Sequence, residues 1–160
     1  MPIVAVVIPT LNESGTIGTL VEGLLAHREH FQMEIIVMDD GSTDGTMESI
    51  QTLNKRHGGI TLIERGKKLG FGTAIRDGLS YALNSQPFQD CVVTMDADLS
   101  HDPEDLPSLV RACSQDTLVI GSRYVQGEKR HGWSPYTKVI SWGAKLLARA
   151  FTDVSARDCT

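Results

Sequence analysis

Three clusters of oxygen-bearing residues stand where apolar runs end. Asp96-Ala97-Asp98 directly follows the run Cys91 to Met95. Carboxylates at i and i+2 leave a strand end on the same side, and held this close they repel each other unless a cation sits between them. An all-oxygen site suits a hard divalent ion, Mg2+ or Mn2+, which keeps waters in its shell and accepts further oxygens from a diphosphate. The same residues also read as a solvated acidic loop in which Asp102 caps the next helix. Spacing alone leaves both open. Asp39-Asp40-Gly41-Ser42-Thr43-Asp44-Gly45 ends a second run; its glycines allow tight turns, and Asp40 could accept hydrogen bonds from a ribose or a base N–H. It reads equally as an ordinary strand-to-helix turn with Asp44 as the cap. Pro9-Thr10-Leu11-Asn12-Glu13 ends the first run and is either a third wall of the same site or a loop with a cap.

Other familiar motifs lack their residues. Gly66-Lys67 has Thr61 at the opening position of a phosphate loop, and Lys68 stands where Ser or Thr is required. Gly70-Phe71-Gly72 has Ile75 in place of the third glycine of a dinucleotide fingerprint, and it follows a basic loop rather than the first strand. Asp40 to Gly45 imitates the start of an EF-hand loop, but Gln51 holds the twelfth position and cannot supply a bidentate carboxylate. There is no GxSxG, Cys/His pairing or HExxH, so serine, cysteine and zinc hydrolase chemistries have no residues to run on.

The elements that must position these loops alternate. Runs rich in β-branched residues at Ile3 to Ile8, Glu34 to Met38, Ile60 to Ile63, Cys91 to Met95 and Thr117 to Ile120 predict strands, most of them apolar throughout and so covered on both faces. Between them lie helical periods: Ile17, Leu20, Val21, Leu24; Met47, Ile50, Leu53; Ile75, Leu79, Ala82, Leu83; and Leu106, Leu109, Val110, Cys113. Asp102-Pro103 supplies a cap followed by a proline in the first turn. The pattern predicts an α/β domain with a mostly parallel central sheet flanked by helices on both faces. In such sheets ligands bind beyond the carboxyl ends of the strands, which is where all three loops fall.

Bulk properties agree with a single globular domain over residues 1–160. The chain has 41% hydrophobic residues and 15 Lys+Arg against 20 Asp+Glu, for a net charge of -5. Disorder and a disulfide scaffold are excluded, and the acidic balance argues against general nucleic-acid binding. Charge is uneven: residues 1–120 carry 8 basic and 17 acidic groups, whereas 121–160 carry 7 and 3. Cys91, Cys113 and Cys159 are an odd number, widely spaced without a CxxC pair, and two of them sit in apolar contexts where Cys acts as a small hydrophobe, which reads as a reducing compartment. The start has no basic n-region and its apolar run is too short for a signal peptide or a span, so the expectation is a cytoplasmic protein.

Five stretches taken in order resemble family 2 glycosyltransferases of the GT-A fold, and within them the polyprenyl (dolichyl) phosphate mannosyl- and glucosyltransferases. They are Pro9-Thr10-Leu11-Asn12-Glu13, Asp39 to Thr46, Lys68-Leu69-Gly70-Phe71-Gly72-Thr73-Ala74, Met95 to Glu104, and Gly121-Ser122-Arg123-Tyr124. The resemblance implies a GT-A, Rossmann-like domain that transfers a hexose with inversion, most often mannose from GDP-mannose, to polyprenyl phosphate. It implies that Pro9, Leu11, Glu13, Met38 and Asp40 surround the nucleotide, with Leu11 where a tyrosine is common. Asp96, Ala97, Asp98 and Ser100 handle the diphosphate, with Mg2+ or Mn2+ on Asp96 and Asp98, and Arg123 is the active-site arginine. Residues 1–120 form the donor part and 121–160 the acceptor part. A UDP-sugar donor with another acceptor, or a nucleotide-sugar-binding module without turnover, are the rival readings.

In the family a Trp, an Arg and a Ser follow at intervals of four near the acceptor phosphate. Trp133 and Ser141 match here, Thr137 takes the arginine's place, and Lys138 beside it offers a point charge without the bidentate fork. On a helix from about Tyr136 to Phe151, Lys138, Trp142, Lys145 and Arg149 make one stripe. That stripe fits peripheral contact with an anionic membrane face, or equally a solvated side of a helix packed on the domain.

Overall fold

A computed structural model describes residues 1–87 and 89–121. Strands β1 (Ile3–Thr10), β2 (Gln32–Asp39), β3 (Ile60–Glu64) and β4 (Cys91–Thr94) form one sheet in the order β3-β2-β1-β4, every pair parallel. Helices α1 (Ile17–Leu25), α2 (Thr46–His57), α3 (Phe71–Asn84) and α4 (Leu106–Ala112) alternate with them, and a short 3-10 turn at Pro103–Asp105 leads into α4. The chain steps outward from β1 to β3, then returns to lay β4 on the other flank of β1. That reversal opens a crevice beyond the carboxyl ends of β1 and β4.

Both faces of β1 are buried, as its unbroken apolar run requires. Val4, Val6 and Ile8 point into the larger core, which they share with Ile17, Leu20 and Leu24 of α1, Ile50 and Leu53 of α2, and Leu106 and Val110 of α4. Ala5 and Val7 point the other way, toward Ala74 and Ala82 of α3. Among the described residues, three helices therefore cover one face and α3 the other.

The stripe of α1 is the one its periodicity predicts, whereas α3 differs. Its buried residues are Ala74, Gly78 and Ala82, while Leu83 is exposed. Small residues win because α3 lies close on the sheet: a Cβ on Gly78 would fall 2.4 Å from Val7 Cγ1. The run Thr117 to Ile120 is not a strand, because a strand needs a ladder partner and none of the described residues pairs with it. Asp102 does cap, accepting the Glu104 N–H at 3.0 Å ahead of Pro103. Asp44 lies one residue outside the cap position of α2, which Gly45 occupies at φ 96°. Cys91 and Cys113, distant in sequence, come side by side. Burial and then the Cys113 thiol push Cys91 up to about 12, so it remains a protonated core residue.

Candidate functional site

The loop after β4 begins by prolonging the strand. The Met95 N–H donates to the Val7 carbonyl at 3.1 Å, the last rung between β1 and β4. Met95 and Ala97 are buried in the larger core, while Asp96 and Asp98 alternate to the opposite, accessible side. Leu99, with φ at 63°, turns the chain, and Asp98 Oδ1 accepts the Ser100 N–H at 2.8 Å. The Ser100 hydroxyl, with its amide second, holds the Asp98 carboxyl below the usual carboxylate range. The Asp96 N–H donates to His101 Nδ1 at 3.1 Å, and His101 Nε2 lies 4.0 Å from Asp96 Oδ2. Behind this loop, Pro103 rests on Gly23 of α1, where a Cβ would fall 2.6 Å from Pro103 Cγ; Glu104 faces the buried His27 Nε2 at 3.8 Å.

Among the described residues no hydrogen bond reaches the Asp96 carboxylate, and no cluster of three or more ligating side chains exists. Two outward carboxylates with only oxygen donors fit a hard divalent ion that completes its shell from a ligand's oxygens and water. They fit a closed structural metal site poorly.

The loops after β1 and β2 are stitched together. Asn12 N–H donates to Ser42 Oγ at 2.8 Å, and Asn12 Oδ1 accepts the Thr43 N–H at 2.9 Å. Glu13 N–H donates to Thr46 Oγ1 at 2.9 Å, and Ser14 N–H to Asp44 Oδ2 at 3.0 Å. The Thr46 hydroxyl also donates to Asp44 Oδ1 at 2.5 Å; that bond, followed by the Ser14 amide, lowers the Asp44 carboxyl far below its ordinary value. Asp39 holds the turn from within, its Oδ1 accepting the Gly41 and Ser42 amides at 2.9 and 2.8 Å.

Asp40 has a different occupation from the one its sequence position suggests. Its Oδ1 pairs with Arg65 Nη1 at 2.6 Å, and its Oδ2 accepts the Leu69 and Gly70 amides at 3.0 and 2.8 Å. Arg65 in turn reaches Thr73 Oγ1 at 2.7 Å and Asp77 Oδ2 at 3.1 Å. A carboxylate so engaged ties the β3–α3 loop to β2 and offers little to a ribose or base.

Of the residues expected around a nucleotide, Pro9 is buried at the end of β1, and Leu11 and Glu13 are half-buried on the loop that follows. Glu13 Oε2 accepts the Thr16 hydroxyl at 3.0 Å. Met38 packs its side chain into the core under α3, and Ala97 is likewise buried, so each has only backbone to offer a ligand. Asp96, Asp98 and Ser100 share the β4 loop. Arg123, Lys138 and Ser141, and the stripe of Lys138, Trp142, Lys145 and Arg149, lie outside the described residues. Arg65, His101 and the Ser42/Asp44/Thr46 stitch went unseen at the sequence level. For Arg65 the signal that could have found it is an arginine directly after a predicted strand, with the acidic loop Asp39-Asp40 at the end of the strand before.

The sequence profile of glycosyl transferase family 2 matches residues 5–159. The chain belongs to that family. It is similar to a dolichol-phosphate mannosyltransferase of Pyrococcus furiosus, 37% identical over 91% of this chain and 40% of the relative. An undecaprenyl-phosphate mannosyltransferase of Micrococcus luteus is 35% identical over 98% of this chain and 63% of the relative. A dolichol-phosphate mannosyltransferase of Mycosarcoma maydis is 32% identical over 96% and 53%. The chain thus spans 40 to 63% of the length of these curated relatives. Among solved structures, it superposes on a mannosyltransferase from Pyrobaculum calidifontis in complex with GDP-Man and Mn2+, with a TM-score of 0.52 and 28% identity over 61% of this chain and 28% of the other. It also superposes on glucosyl-3-phosphoglycerate synthase from Mycobacterium tuberculosis in complex with UDP, with a TM-score of 0.53 and 28% identity over 68% and 39%. The fold is that of the GT-A glycosyltransferases.

Proposed function

We propose that this chain transfers mannose, with inversion, from GDP-mannose to a polyprenyl phosphate. The observation that carries the reading is the β4 loop, which turns Asp96 and Asp98 outward at the switch point of the sheet, beside the loops after β1 and β2. Curated relatives bearing polyprenyl-phosphate mannosyltransferase names, and a solved relative holding GDP-Man and Mn2+, support it.

In this reading Asp96 and Asp98 hold Mg2+ or Mn2+ against the donor diphosphate, with Ser100 adjoining. The ion supplies neutralisation of the charge that builds on the departing diphosphate. Pro9, Leu11 and Glu13 line the nucleotide, to which Met38 and Ala97 contribute backbone. Asp40 shapes that wall through Arg65 and the Leu69-Gly70 amides. Arg123 shares the diphosphate charge, and Lys138 and Ser141 receive the acceptor phosphate. A phosphate monoester, with a second pKa near 6, is largely dianionic at neutral pH and attacks without a strong general base. The two aspartates therefore act electrostatically and take no proton, and the enzyme's remaining work is alignment. Residues 1–120 make the donor part and 121–160 the acceptor part. Because the acceptor is a lipid, the chain works against the cytoplasmic face of a membrane; no helix among the described residues is long and apolar enough to cross one. Nucleic acid has no place in this chemistry.

The test is incubation with GDP-mannose labelled in the sugar, Mn2+ and a short polyprenyl phosphate. Label should enter the organic phase, and EDTA should prevent it. Tight donor binding without lipid product would replace the proposal with a non-catalytic module, and product from UDP-glucose alone would replace the donor.

A further inference from the structure

The Met95 N–H makes the last bond from this segment to β1, and the next amide, that of Asp96, points to the opposite flank of β4, where none of the described residues forms a strand. His101 takes it up with Nδ1 at 3.1 Å, folding the loop back on its own start. A ring nitrogen that accepts carries no proton, so the hydrogen of the neutral imidazole sits on Nε2. That nitrogen is the one 4.0 Å from Asp96 Oδ2. One ring therefore faces both the backbone and the carboxylate of Asp96. His101 is itself fixed from behind: Asp102 caps the Pro103–Asp105 turn, and Pro103 bears on Gly23 of α1.

We propose that His101 is a positioning residue for the metal site, holding Asp96 as a rigid extension of β4 with its carboxylate turned toward the ion. The inference rests on the reading of Asp96 and Asp98 as metal ligands and adds to it the part that orients them. A ligand borne on a loop needs such a support, because loss of a partner behind the ligands lowers metal affinity by roughly 10- to 100-fold. Ser100 does the corresponding work for Asp98 through its amide, 2.8 Å from Oδ1. Each aspartate thus has its own brace, Asp96 through its backbone N–H and Asp98 through its carboxylate.

The experiment compares wild type, His101→Ala and His101→Asn in the full chain. Binding of Mn2+ in the presence of GDP is followed by electron paramagnetic resonance of the free ion, and exchange of the Asp96 amide by NMR. His101→Ala should weaken Mn2+ binding about tenfold or more and speed exchange of the Asp96 amide. His101→Asn, whose side-chain oxygen can replace Nδ1 as acceptor, should recover most of both. Equal Mn2+ affinity in wild type and His101→Ala, or no recovery with His101→Asn, overturns the inference and leaves the metal reading standing. Wild type that takes up no Mn2+ with GDP or UDP overturns both. The wild-type ring gives an independent reading should His101→Ala fail to fold: nitrogen NMR should find the proton on Nε2, and a proton on Nδ1 overturns the inference.

Discussion

Replacing Asp40 by asparagine isolates the buried pair that ties β2 to the β3–α3 loop. Both side chains are almost inaccessible, 5% for Arg65 and 6% for Asp40, so solvent screens neither charge. An asparagine there cannot satisfy its surroundings: its oxygen can serve either Arg65 or the Leu69 and Gly70 amides, and its NH2 then points a donor at the other donors. Breaking a buried pair from one side costs about 3–5 kcal/mol, because the remaining charge stays buried without compensation. Asp77 Oδ2, 3.1 Å from Arg65 Nη2 and 38% exposed, still serves Arg65, which places Asp40→Asn at the lower end. A loss of about 3 kcal/mol corresponds to a fall in Tm of roughly 6–12 °C at this chain length. Equilibrium urea unfolding of wild type, Asp40→Asn, Arg65→Met and the double variant measures it. Since both singles break the same contact, the double should cost less than their sum by more than about 1 kcal/mol. Strict additivity, or an Asp40→Asn loss below about 1 kcal/mol, would refute the pair's structural role.

Three further substitutions probe neighbouring contacts. Gly78→Ala puts a Cβ 2.4 Å from Val7 Cγ1 and should destabilise by about 1–3 kcal/mol in the same unfolding assay. Gly23→Ala sets a Cβ 2.6 Å from the stiff Pro103 ring; beyond a similar loss of stability, it should displace the β4 loop and weaken Mn2+ retention in the presence of GDP. Asp44, whose carboxyl titrates below its unfolded value, contributes stability that is complete above an unfolded pKa of about 3.9 and fades as pH falls through the folded one. Asp44→Asn should accordingly fall furthest behind wild type near pH 6, with the gap narrowing steadily as pH falls below about 4, read as urea midpoints; a gap independent of pH would contradict the Asp44 contacts.

Large apolar side chains made much of the fold legible. Four of the five predicted strands form, and α1 buries Ile17, Leu20, Val21 and Leu24, since size and periodicity there tell the same story. In α3 they part company: close approach to the sheet selects Ala74, Gly78 and Ala82, whose hydrophobicity is too weak to stand out beside Ile75, Leu79 and Leu83. The outward pairing of Asp96 and Asp98 was legible because strand alternation is local. The partners of Asp40 were not legible for the opposite reason, as they lie 25 to 30 residues away on the next connection. The stitch between the β1 and β2 loops is equally remote, linking Asn12, Glu13 and Ser14 to residues 30 to 33 positions on. A polar loop looks alike whether its side chains serve a ligand or one another.

The strand order has a consequence for how the crevice comes into being. Ile3 pairs with Gln32 across 29 residues of chain, but Val4 pairs with Cys91 across 87. Closing a loop three times as long costs about 1 kcal/mol more, which favours forming the β1–β2 half, stitch included, before β4 docks onto its edge. Local opening retraces that path from the same edge, which has four rungs where β1–β2 has eight. Among the described residues, the Asp96–Asp98 loop is therefore expected to be the last part of the crevice to assemble and the first to let go, and a bound donor that bridges β1 and β4 would act as a fastener for the fold itself.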